Sequence, residues 1–289
     1  MNKFDFLPER IATALEAGDY KYLSEIRLRI GFPVVANCGN QYAYISLEGI
    51  TLNKKNAITC NENDIKEIMA NVTERSLYAF NDRIKQGYLT DKSGCRIGIA
   101  GECVTDDGQP VTIKNVTSLN IRIPHDVEDC SAEIFEKIMK RGVKSTLILS
   151  PPAQGKTTIL KDLARKINDA FNLSVLIIDE RGEFGDVKGE NIDSVRYADK
   201  LFAFSYAVRS MSPNVVITDE LSSEKDWGCA YSASNSGVKI IASCHARDLI
   251  ELQKKPYFKK GVFERFVELS PIGRPGRVDR ISDENFNPL

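Results

Sequence analysis

Hydrophobic positions change their rhythm partway along the chain. Near the start, Phe4, Phe6, Leu7, Ile11 and Leu15 recur near helical spacing and Gly18 offers a stop, which predicts a short amphipathic helix. From Glu25 the text EIRLRIGFPVVANCG and then QYAYIS alternates with period two around Ile26, Leu28 and Ile30, and Gly31-Phe32-Pro33 marks a turn. That pattern predicts a small sheet. Asn61 caps a predicted helix through Asp64, Ile65, Ile68 and Met69, and residues 73–85 predict another with Leu77, Phe80 and Ile84 on one face. GCRIGIAGECV, a Gly-Asp-rich turn at 106–109 and SLNIRIP predict two or three further strands. Residues 1–125 therefore read as an α+β domain.

Pro124 and the acidic run at 126–129 interrupt this pattern ahead of a predicted helix at 131–140, so residues 126–142 read as a linker and helix. Beyond them the rhythm differs. Continuous apolar runs at 146–149, 174–178, 215–218 and 238–242 predict strands, and helical stretches at 156–168, 201–211 and 223–234 separate them. Apolar strands joined by amphipathic helices predict an α/β domain with a mostly parallel sheet over 143–289.

Composition narrows the function classes. The chain has 289 residues, 42% of them hydrophobic, enough for a sizeable core and against disorder. Lys plus Arg number 39 against 40 Asp plus Glu, a net charge of -1, so no global field draws it to nucleic acid or an anionic membrane. Seven cysteines, at 38, 60, 95, 103, 130, 229 and 244, form no C-x-x-C pair, which fits reduced thiols in a cytosolic protein. No apolar run reaches a membrane span and the start holds no signal-peptide core, so attachment to a membrane is expected through partner proteins.

The sharpest chemistry lies in TLILSPPAQGKTTILKDLARKI, where an apolar strand runs through a tight loop into a helix opening at Gly155-Lys156-Thr157-Thr158. This is the context of a phosphate-binding loop. Amides of residues 150–158 (Ser150, Pro151, Pro152, Ala153, Gln154, Gly155, Lys156, Thr157, Thr158), apart from the two prolines, would surround a β-phosphate at the helix N-terminus. Lys156 would reach the β and γ oxygens, and the Thr157 hydroxyl would ligate Mg²⁺. The pattern G-x-x-x-x-G-K-[ST] fails at one place, because Ser150 stands where glycine is usual. Weakened rather than abolished ATP binding is expected from it.

A second apolar strand, NVVITDE, ends in an acidic pair. Asp219 would hold the Mg²⁺ hydration shell and Glu220 would polarise the attacking water; the plainer reading is that both merely begin a loop or cap the next helix. A third, SVLIIDERGEFG, brings Asp179, Glu180 and Glu183 to the same edge, where Glu180 or Glu183 would position water or Mg²⁺, or the group would cap a helix. VKIIASCHA delivers Ser243 and His245, one of only two histidines, and His245 would sense the γ-phosphate or serve as an ordinary satisfied polar residue. The other histidine, His125, reads as structural. Arg96, Arg122 and Arg209 are candidates for a charge lent to the transition state by a neighbouring subunit, or for surface ion pairs.

With these residues assembled, the chain resembles the stage III sporulation protein AA family, ATPases related to those of type II and type IV secretion. The resemblance spans nearly the whole chain, through SEIRLRIGFPV, SLYAFNDRIKQGYLT, GCRIGIAGE, SLNIRIP, SPPAQGKTT, IIDERGEFG, VRSMSPNVVITDE, GVKIIASCHA and FERFVELS. It implies an amino-terminal domain joined to a RecA-like P-loop domain, assembled as a hexameric ring with nucleotide at subunit interfaces. Carried over by motif, Gly155, Lys156, Thr157 and Thr158 match Walker A, and Asp219 and Glu220 match Walker B. Residues 179–183 look like the Asp box with Glu180 the catalytic helper, His245 the histidine box, and Arg96 and Arg122 the arginine-bearing strands. Ser150, Ala153-Gln154 and Leu221-Ser222-Ser223 depart from the family pattern.

The expected function is an ATP-hydrolysing motor of the mother-cell cytoplasm that docks on membrane-embedded channel proteins and energises transport into the forespore. A nucleotide-dependent scaffold that does not hydrolyse ATP is the alternative. A nucleic-acid motor is a weaker one, because no basic run with interleaved aromatics is present.

Overall fold

The computed structural model describes residues 4–16, 23–38, 41–74, 84, 87–124 and 127–289. The expected stop at Gly18, most of the helix expected at 73–85, and His125 lie outside the described residues. The chain divides into two compact units, Met1–His125 and Asp126–Leu289.

The first unit is built on an antiparallel sheet of order β4-β3-β2-β1-β7-β6-β5. Its strands are β1 (Leu23–Arg29), β2 (Val35–Cys38), β3 (Gln41–Ser46), β4 (Gly49–Thr51), β5 (Tyr88–Thr90), β6 (Arg96–Asp106) and β7 (Gln109–Arg122). Alternation along β1, β6 and β7 puts Ile26, Leu28, Ile97 and Ile121 into one core with Ile11 and Leu15 of α1 (Glu9–Glu16) and Ile65 and Ile68 of α2 (Glu62–Val72). Asn61 begins α2 through a capping box: its side chain accepts from Asp64 N while the Asp64 carboxylate accepts from Asn61 N. Arg96 and Arg122 are directly paired across β6 and β7, with Glu25 opposite Arg122 on β1. The Arg96 guanidinium lies 3.8 Å from the centroid of the Tyr88 ring.

The second unit carries a sheet of order β10-β9-β11-β12-β8-β13-β14. Its strands are β8 (Thr146–Ser150), β9 (Val175–Asp179), β10 (Ile192–Arg196), β11 (Val215–Glu220), β12 (Lys239–His245), β13 (Arg265–Leu269) and β14 (Val278–Asp283). All neighbours pair in parallel except β13 with β14. The helices are α3 (Ala132–Ile134, continued by a π-turn at Phe135–Met139), α4 (Lys156–Phe171), α5 (Lys200–Met211), α6 (Glu224–Asn235) and α7 (Leu249–Gln253).

Successive strand residues feed two different cores. Leu147, Leu149, Leu176, Ile178 and Val216 pack with Phe204 of α5 and Trp227 of α6, whereas Ile148, Val175, Ile177, Val215 and Ile217 pack with Leu160 and Leu163 of α4. A sheet covered on both faces reads as continuous apolar strands, and this explains the unbroken runs in the sequence. Trp227 anchors its side, meeting Phe258 and Phe263 edge-on at centroid distances of 5.4 and 5.5 Å.

Two features add to the picture drawn from the sequence. The segment after the expected linker packs onto the second unit: Ile134, Ile138 and Met139 are buried in the α4-side core, and Ser131 N and Oγ both donate to the Asp162 carboxylate. The sheet also gains β10, β13 and β14 beyond the four expected strands. β10, the polar run IDSVR at one edge, has no fully buried residue and so no apolar signal. No helix among the described residues is long and apolar enough to cross a membrane.

Candidate nucleotide site

The parallel topology aligns the carboxyl ends of β9, β11, β12 and β8, so chemistry at the ends of four strands converges on one edge. β8 is buried throughout and ends at Ser150, and α4 starts at Lys156. Between them the chain turns through left-handed conformations at Ala153 (φ 62°) and Gly155 (φ 80°). Such a conformation favours glycine, as at Gly155, and it places the N-terminal turn of α4 directly after the loop. A second tether comes from the loop after β13, where Gly276 N donates to Gln154 O at 3.0 Å.

Lys156 is buried and folded back onto this loop. Its Nζ donates to Ser150 O (3.0 Å), Ser150 Oγ (3.1 Å) and Pro151 O (2.8 Å), and lies 2.9 Å from His245 Nδ1. Burial pushes its pKa down to about 8, against the opposing pull of the Glu220 charge. Ser150 thereby gains a definite place: its hydroxyl donates to Pro151 O at 2.8 Å while accepting from Lys156.

His245 ends β12 directly opposite Ser150 in register. Its Nδ1 lies 2.9 Å from Lys156 Nζ and 3.4 Å from Ser150 O, and its Nε2 lies 3.2 Å from Glu220 Oε2. A continuous line of close contacts therefore runs from Lys156 through the imidazole to Glu220. Arg181 NH1 approaches the same Glu220 oxygen at 3.7 Å.

The carboxylates divide their work. Asp179 is fully buried and accepts from Glu183 N (2.8 Å) and Phe184 N (3.1 Å), so it shapes the turn after β9, and burial raises its pKa. Glu180 pairs with Lys200 Nζ at 2.7 Å, and the same ammonium lies 2.7 Å from Asp219 Oδ1. Burial raises the Asp219 pKa to about 6 even with Lys200 pulling it down. Asp219 Oδ2 is buried and has no hydrogen-bond partner among the described residues.

Ser150, Lys156, Glu180, Asp219, Glu220 and His245 thus share one edge, and Pro151, Pro152, Ala153, Gln154, Gly155, Thr157 and Thr158 form the loop and first turn beside them. Arg209 does not join them: it lies in the last turn of α5, ahead of β11 and at the opposite end of that strand from Asp219. Arg96 and Arg122 belong to the first unit. The sequence reading passed over Lys200 and the 274–277 loop. Lys200 did leave a trace, because a basic residue opening a helix opposes the helix dipole.

Fold and site together define the class: an α/β protein with the fold of secretion and pilus ATPases. The structure of the Legionella pneumophila ATPase DotB superimposes with a TM-score of 0.59, covering 89% of this chain and 74% of that one at 12% identity. The pilus retraction motor PilT with bound ADP gives 0.57, covering 89% and 76% at 14% identity. Within that class the chain belongs to the sporulation stage III protein AA family, whose model matches residues 5–288. The stage III sporulation protein AA of Bacillus subtilis (strain 168) is 30% identical over 99% of this chain and 95% of its own length.

Proposed function

We propose that this protein is a Mg²⁺-dependent ATPase with a RecA-like motor domain over 143–289, acting in sporulation as a ring-forming, secretion-type motor. The observation that carries this reading is the path Lys156–His245–Glu220 at the edge where a strand-loop-helix phosphate site opens. Nucleotide phosphates would lie on the amides of 153–158, with Lys156 leaving its loop acceptors for the phosphate oxygens. Thr157 and Asp219 fit Mg²⁺, since Asp219 keeps one buried oxygen without a partner, and the ion would neutralise phosphate charge. Glu220 accepts the proton of the water that attacks the γ-phosphorus, giving ADP and phosphate. His245 holds Glu220 and Lys156 in register, and Glu180 braces the acidic edge.

In a ring, most simply a homohexamer, Arg96 or Arg122 would supply positive charge at the nucleotide. The motor would work on the mother-cell side of a membrane-embedded channel, held there by partner proteins. The tight hold of Lys156 on its own loop favours one second reading, a nucleotide-gated scaffold without turnover. Phosphate release and fluorescent-ATP binding on wild type and Lys156→Ala separate the two. The motor reading expects turnover that Lys156→Ala abolishes, the scaffold reading expects binding without turnover, and equal turnover in both proteins rejects the site.

A further inference from the structure

Lys200 is the least explained charge near the site. Its side chain is 5% exposed, and burying an ammonium is costly unless it is closely paired. It opens α5, where its charge opposes the helix dipole, so helix stability does not account for it; Asp199 already caps that helix. What it does is join two strands. Its Nζ lies 2.7 Å from Glu180 Oε2, just past the end of β9, and 2.7 Å from Asp219 Oδ1, on β11.

The bridge is asymmetric in a useful way. Glu180 is the solvent-facing partner and Asp219 the buried one, and the bridge occupies one Asp219 oxygen while the other stays buried and unpartnered among the described residues. One fixed and one unpartnered carboxylate oxygen suits a group that accepts from the water shell of a divalent cation rather than gripping the cation itself. Without the bridge, Asp219 would face the charges of Asp179 and Glu180 with no counter-charge and no fixed rotamer.

We propose that Lys200 is a positioning residue for the divalent cation that accompanies the nucleotide: by clamping Asp219 and Glu180 together it holds the unpartnered Asp219 oxygen in place. This rests on the nucleotide-site reading above. It predicts that Lys200 matters to the cation-dependent part of nucleotide binding and hardly to the rest, which a purely structural brace would not do.

The test titrates methylanthraniloyl-ADP into the full chain in excess EDTA and in Mg²⁺, for wild type, Lys200→Met and Lys200→Arg. Mg²⁺ should tighten binding to wild type. Lys200→Met should bind as wild type in EDTA but lose about tenfold of the tightening, with half-saturating Mg²⁺ raised by about as much. Lys200→Arg, which keeps the charge, should recover most of it. Should Lys200→Met not fold, the charge-balanced double variant Glu180→Gln with Lys200→Met should show the same Mg²⁺-specific loss. An unchanged or stronger response to Mg²⁺ in the Met variants would overturn the proposal, as would an equal loss in EDTA and Mg²⁺. Wild type that binds the probe in neither condition overturns the nucleotide site itself and this inference with it, an outcome distinct from normal wild-type binding with an indifferent Lys200.

Discussion

Ser150 offers the most direct test of how the phosphate loop is held before nucleotide arrives. Its buried hydroxyl accepts from Lys156 Nζ at 3.1 Å and donates to Pro151 O at 2.8 Å. A hydrogen bond to a charged group contributes about 1.5–3 kcal/mol. Lys156 keeps Ser150 O, Pro151 O and His245 Nδ1 when that hydroxyl is removed, so the net loss should be about 1 kcal/mol. At the proposed site phosphate would draw Lys156 off these acceptors, so that energy would be lost only from the nucleotide-free protein. Ser150→Ala should therefore lower the Tm of the nucleotide-free protein by about 2–4 °C and tighten ATP about fivefold. Ser150→Gly should behave alike, with any further gain reporting loop freedom rather than the hydroxyl. Differential scanning fluorimetry and fluorescent-ATP titration on the three proteins measure both quantities. Unchanged Tm and affinity in Ser150→Ala would refute the reasoning, and tightening in Ser150→Gly alone would assign the effect to the backbone.

Glu220→Gln keeps an oxygen beside His245 Nε2 and gives up only the long Arg181 contact, so folding and ATP binding should persist while turnover falls about 10²–10⁴-fold, read by phosphate release. Ala153 adopts φ 62°, a conformation costing a non-glycine residue about 1 kcal/mol; Ala153→Gly should leave stability equal or slightly raised, and a fall of several degrees in Tm would contradict this. Lys156 titrates near pH 8 in the free protein, so nucleotide affinity should weaken as pH rises through about 8, whereas an ordinary lysine would hold it flat to pH 9.5. Stability carries the opposite sign: the unfolded chain retains that proton up to about 10.5, so this group's contribution rises with pH across the interval, visible in denaturant melts.

The strand-loop-helix at 146–171 and the acidic end of β11 were legible because each is local, an apolar run ending in a few residues whose chemistry is read along the chain. His245 was legible through its scarcity, but its position between Lys156 and Glu220 depends on β12 lying beside β8, which no local pattern encodes. Lys200 illustrates the limit. It belongs to no motif, and its partners lie 20 residues back and on another strand, so only the folded sheet brings them together. The polar edge strand β10 and the β13–β14 hairpin escaped for a related reason: an edge strand buries little, and its hydrophobic signal is correspondingly thin. For Ser150 the sequence showed a departure from pattern, and the structure supplies its hydrogen-bonding partners.

The position of β8 bears on how the site comes into being during synthesis. β8 is the first strand of its sheet to leave the ribosome, yet its neighbours are β12 and β13, which end at His245 and Leu269. Until those segments emerge, the phosphate loop has a strand behind it but no walls, and the histidine that meets Lys156 does not yet exist. On the proposed nucleotide site, a nascent chain that ends before β12 and β13 would lack these walls, so the site would form late, in a topology dominated by distant pairings.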